Sequence, residues 1–217
     1  MYNLPVFATA FRIFFLACAL EAVAIISMWI ATLHGVHVVE TKIGGVDWHS
    51  YEMVFGFTRA AIFGFVFTAG QHWSGKFLLG GKSALALFTL WFLGRFAFYL
   101  PEPFAAVSYG FDIAAGAFAI YRLLPLLKQK NNRPPFFLIA LMQMALVAAV
   151  VAHYVSAWQE HFLHAVRVGL LTAVLLVAII AGRILPFFAG VVMAGQKPKI
   201  RQGLEKWIWP ATQLVVV

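Results

Sequence analysis

Residues 135–158 read PFFLIALMQMALVAAVVAHYVSAW, with no aspartate, glutamate, lysine or arginine. Twenty or so apolar residues in helical form cross a hydrocarbon core of about 30 Å. Lipid offers no partner to an open backbone, and the stretch shows no barrel-like alternation, so it must be a helix. Similar runs recur at about 10–34, 50–71, 83–100, 104–125 and 165–192. The expected fold is therefore all-α: one polytopic transmembrane bundle over 1–217, with six spans. A seventh span begins near Trp207 and is cut off at Val217.

Composition supports this class. The chain is 63% hydrophobic and 11% charged, with mean hydropathy +0.87; a soluble domain carries about 25% charged residues. Cys18 is the single cysteine, which excludes an internal disulfide. The first span has no basic region ahead of it and no clear cleavage site, so it reads as retained. No internal repeat or nucleotide-binding glycine pattern is visible.

The net charge of +8 does not point to nucleic acid, because it is sorted by side. Lys76, Lys82, Lys128, Lys130, Arg133, Lys197, Lys199, Arg201 and Lys206 fall between or after spans on one side. The opposite loops hold Lys42 beside Glu40, Asp47, Glu102 and Glu160. This is the positive-inside pattern of a membrane protein with a cytoplasmic N-terminus. Anionic lipid is sufficient use for the basic loops. Trp48, Trp73, Trp158 and Trp207 are expected as interface anchors.

On that topology six of the seven histidines lie toward the outer side: His34, His37, His49, His153, His161 and His164. Imidazole ligates haem iron, copper and zinc. His49 and His153 match in depth from different helices and are the first candidate pair, with His164 in reserve and His161 one turn from it. Anchoring or helix capping is the plainer use of any one of them. Met28 and Met53 are better read as core than as ligands.

Span two carries a polar stripe: His49, Glu52, Gly56, Arg59 and Phe63 recur at three- and four-residue steps. Glu52 is placed to accept the free N–H of a ligating histidine. Tyr51 points about 200° away from His49 on a regular helix. Ionisable groups at membrane depth are costly and call for partners. By depth, Glu21 is expected to pair with Arg59, and Arg95 with Asp112. Such pairs either fix helix packing, pass protons, or hold haem propionates. Gly56, Gly64, Gly70 and Gly94 favour close helix approach. Pro186, after Gly182 and Arg183, is expected to kink or end the last span.

The blocks FRIFFL (11–16), WHSYEMVFGF (48–57), HWSGK (72–76), VRVGLL (166–171) and GRILPFF (182–188) resemble the NnrS family. The resemblance implies an integral membrane protein associated with haem and copper, and with denitrification and resistance to nitric oxide. The matching residues are His49, Glu52 and His153, with Arg183 as a charge without a role. The family pattern WHxHEM is broken here by Tyr51, which takes the place of its second histidine; phenolate is itself a haem ligand type. Family members carry about twice as many spans, so the chain corresponds to an N-terminal half, paired with the rest or with another membrane subunit. Three functions follow: a haem- and copper-binding protein of the nitric oxide response or respiration, a non-catalytic accessory or assembly subunit, and a small-solute transporter. No nucleophile–base pair marks a reaction.

Overall fold

The computed structural model describes residues 5–36 and 44–192. His37, the last basic cluster, Trp207 and the expected seventh span lie outside the described residues. Among the described residues the secondary structure is entirely helical. The helices are α1 (Ala10–Leu33), α2 (Gly45–Tyr51), α3 (Arg59–Ser74), α4 (Lys82–Leu93), α5 (Phe104–Leu123), α6 (Arg133–Tyr154) and α7 (Phe162–Val192). A π-helical segment, Glu52–Thr58, joins α2 to α3 into one rod. Met1–Ala173 and Val174–Val217 form two separate compact units. The first contains all the chemistry described below; the second contains the rest of α7, including Arg183.

Five segments are long and apolar enough to cross a membrane: Ala10–Leu33, Gly45–Ser74, Phe104–Lys128, Lys130–Tyr154 and Ser156–Leu185. These are helices of a multi-pass membrane protein. The rod Gly45–Ser74 is the most enclosed, 61% buried over its apolar window, against 33% for α1. It is therefore the rod that carries the polar stripe safely. Leu20 and Val23 on α1 are more than 60% exposed, as side chains facing lipid are.

The expected span at 83–100 is not one helix. It is the 12-residue α4, one 3-10 turn at Gly94–Phe96, and irregular chain to Pro103. At 1.5 Å per residue α4 is about 18 Å long, short of a crossing. The break has visible causes. Gly94 lies so close to α5 that an added Cβ would stand 2.7 Å from Asp112 Cβ. Ser108 Oγ then donates to Leu93 O (2.6 Å), satisfying a carbonyl at the helix end. Pro101 and Pro103 cannot donate to a continuing helix. Residues 82–103 still run the length of the bundle. Gly81 N–H bonds Phe7 O (2.8 Å) at one end, and Tyr154 Oη donates to Glu102 Oε1 (2.7 Å) at the other.

Two smaller expectations also change. Trp48 is fully buried, packed edge-on to Tyr99, and is not an interface anchor, whereas Trp158 is half exposed. The helix α7 continues through Pro186 to Val192, so Pro186 does not end it. Close glycine contacts do fulfil their role: Gly64 admits Phe14 and Phe15 of α1 against α3.

Candidate functional site

The π segment organises the centre of the bundle. A π turn widens the helix by one residue and frees a carbonyl. Thr58 Oγ1 donates to Met53 O, five residues back, at 2.7 Å. The indole N–H of Trp91 on α4 donates to Gly56 O at 3.2 Å. Gly56 is required by space. A Cβ there would lie 2.7 Å from Glu52 Oε2, 2.8 Å from Arg95 Nη1 and 2.8 Å from Glu21 Oε1.

Three carboxylates and two guanidiniums meet around that glycine. Arg59 donates to the Asp112 carboxylate and, through Nη1, to Asp112 O (3.3 Å). Arg95 pairs with Glu52 and with Asp112, and its Nε reaches Trp91 O (3.3 Å). Tyr51 Oη donates to Asp112 Oδ2 at 2.7 Å. Glu52, Arg59, Arg95 and Asp112 are all 5% exposed or less. Arg59 also lies over the Phe63 ring (5.6 Å) and Arg95 over Trp91 (5.7 Å), contacts that offset part of the desolvation of the cations.

The expected Arg95–Asp112 pair forms. The expected Glu21–Arg59 pair does not: Arg59 is taken by Asp112, and Glu21 approaches Glu52 and Arg95 instead. Depth alone leaves open which helices are neighbours. In the same geometry Glu52 is paired with Arg95. Tyr51 belongs to the charge cluster through its bond to Asp112.

Beside Arg59 a small cavity of about 10 Å³ is lined by Phe63, Gly116, Met142 and Gln143. Arg59 Nε and Gln143 Oε1 are buried there without a hydrogen-bond partner among the described residues. A donor and an acceptor across a space of that size suit one water. Gln143 is held in place by Nε2 donating to Ile113 O (3.0 Å), and it lies over Gly116 with no room for a Cβ. No sequence signal had marked it.

The histidines gather at one end but not in one site. His34 Nδ1 contacts Ile30 O (2.8 Å) at the end of α1, a capping role. His49 stacks on Trp29 at 4.5 Å, with Nδ1 buried and unpartnered among the described residues. His153 lies within Phe98, Tyr109, Tyr154 and Phe162. His49 and His153 thus occupy separate ring clusters. His161 and His164 approach each other, ring centroids 6.0 Å apart. They border an apolar groove of about 640 Å³ between α6 and the first turns of α7, lined also by Met144, Val147, Val151 and Val168. Among the described residues no three or more of His, Cys, Asp and Glu are grouped to hold a metal. Arg167, one turn past His164, is exposed and has no hydrogen-bond or ion-pair partner among the described residues. An arginine within an apolar span was the available signal for it.

No curated protein and no solved structure matches the chain. The family comparison is positive over almost the whole length: residues 5–217 match the NnrS protein family, and the chain belongs to that family.

Proposed function

We propose that the protein is a haem-binding protein of the bacterial inner membrane that acts in the nitric oxide response or in respiration. Family membership supports the nitric oxide connection. The observation that carries the haem reading is the groove with two imidazoles at its border. Its volume, about 640 Å³, falls in the ~300–1,000 Å³ range of ligand pockets. Its walls are mainly apolar, with Trp158 and Gln143 beside the aliphatic side chains, as suits a porphyrin face. His164 would hold the iron, and Arg167 would meet a propionate by charge-assisted hydrogen bonds. Bound there, haem would supply a redox-active iron open to a small diatomic ligand. Copper in the same place would use His161 and His164 together.

In this reading residues 82–103 make the sixth crossing. The first part of their irregular half, with Gly94, Arg95, Ala97 and Phe98, is buried in protein, the condition under which non-helical backbone is tolerated at membrane depth, and residues 99–103 are exposed. The N-terminus is cytoplasmic and the histidine end faces outward, in line with the loop charges. The open groove and exposed Arg167 also suit a second reading, an accessory subunit whose partner helix covers them.

An absorption spectrum of the purified chain after haem loading tests the proposal. A Soret band that is lost or shifted in His164→Ala, and kept in His49→Ala and His153→Ala, supports it. A band unchanged in His164→Ala removes haem from the groove. No haem uptake at all leaves the accessory reading.

A further inference from the structure

We propose that the charge cluster binds one proton, carried by Glu21 and shared with Glu52. The first argument is a count. Glu21, Glu52 and Asp112 face Arg59 and Arg95, so the fully ionised cluster carries one excess negative charge in the apolar centre of the bundle. An uncompensated charge there is costly, and a carboxylate relieves the cost by taking a proton.

The second argument is geometric and independent of the count. Glu21 Oε1 and Glu52 Oε2 converge on Gly56 from different helices, 2.8 Å and 2.7 Å from the point a Cβ would occupy there. Oε1 of each receives no hydrogen bond from any N–H or other O–H among the described residues. Two carboxylates have only acceptors, so the contact is a bond only with a proton between them. Asp112 is not the holder, because Arg59, Arg95 and Tyr51 all address it.

Every element around the pair is accounted for. On α1 the neighbour is Cys18. The rod supplies Tyr51 and Arg59, the chain after α4 supplies Arg95 and Tyr99, and α5 supplies Tyr109 and Asp112. None adds a third cation. Glu21 is also the one carboxylate of the three that is only half buried, so it is the door of the site.

Dicyclohexylcarbodiimide probes such a group directly. The acid O–H adds across one C=N bond: the carboxyl oxygen bonds the central carbon and the proton moves to nitrogen. An O-to-N acyl shift then leaves a stable N-acylurea. The full chain in micelles near neutral pH should acquire this adduct at Glu21, read by peptide mass spectrometry, and lose it at high pH. Infrared spectra should show a protonated carboxyl C=O band, shifted in D₂O and absent in Glu21→Gln. Glutamine can donate to Glu52, so this variant should keep the fold. No adduct and no band in the wild type, or a band that survives Glu21→Gln, overturns the assignment.

Discussion

Replacing Asp112 by alanine removes the one carboxylate that Arg59, Arg95 and Tyr51 share. Arg95 keeps Glu52, but Arg59 keeps no carboxylate, at 3% exposure. Breaking a buried pair from one side costs about 3–5 kcal/mol, because a buried charge is left without compensation. For a chain of this size about 2–4 °C in Tm accompanies each kcal/mol, so the melting point should fall by roughly 6–20 °C. The assay is built into the chain. Cys18 is the single cysteine and is 8% exposed, so a thiol-reactive fluorogenic dye reports its release on heating in detergent. Adding Arg59→Met to the Asp112→Ala variant removes the stranded cation and replaces it with apolar volume. It should recover part of the loss, a coupling of about 0.5–3 kcal/mol. A single variant that melts within about 2 °C of wild type, or a double variant whose losses simply add, would refute the cluster as the energetic centre of the bundle.

Three further outcomes are expected. Gly116→Ala places a Cβ on Gln143 Oε1, so Gln143 must leave its bond to Ile113 O. A destabilisation of about 1–3 kcal/mol should result, with part regained when Gln143→Ala is added; an unchanged melting point would deny the notch. A cysteine introduced at Lys130, in a Cys18→Ala background, should resist an impermeant thiol reagent added from the periplasm; labelling from that side would invert the topology. Charge reversal by Arg167→Glu, an exposed position, should leave the melting point within about 0.5 kcal/mol of wild type while weakening haem uptake or partner binding. A large loss of stability there would instead make Arg167 structural.

The membrane class and five of the six expected apolar runs are one-dimensional properties, and they were legible in PFFLIALMQMALVAAVVAHYVSAW and its neighbours. Transfer energy into lipid depends on what a segment contains, whatever surrounds it. The stripe Glu52, Gly56, Arg59, Phe63 was legible for the same reason, since a helix face follows from spacing. Partner choice was not. Arg59 and Glu21 share a depth, yet Arg59 goes to Asp112 because α5 is drawn against the chain at Gly94. The interruption after Leu93, the π segment at Glu52–Thr58 and the seat of Gln143 on Gly116 are likewise decided between helices, where one side chain's space is another's backbone. His49 and His153 end in different ring clusters although their place along the helices led to the expectation of matching depth. Depth comes from hydropathy, but the order and rotation of helices around the bundle come from close packing, which only the folded chain expresses.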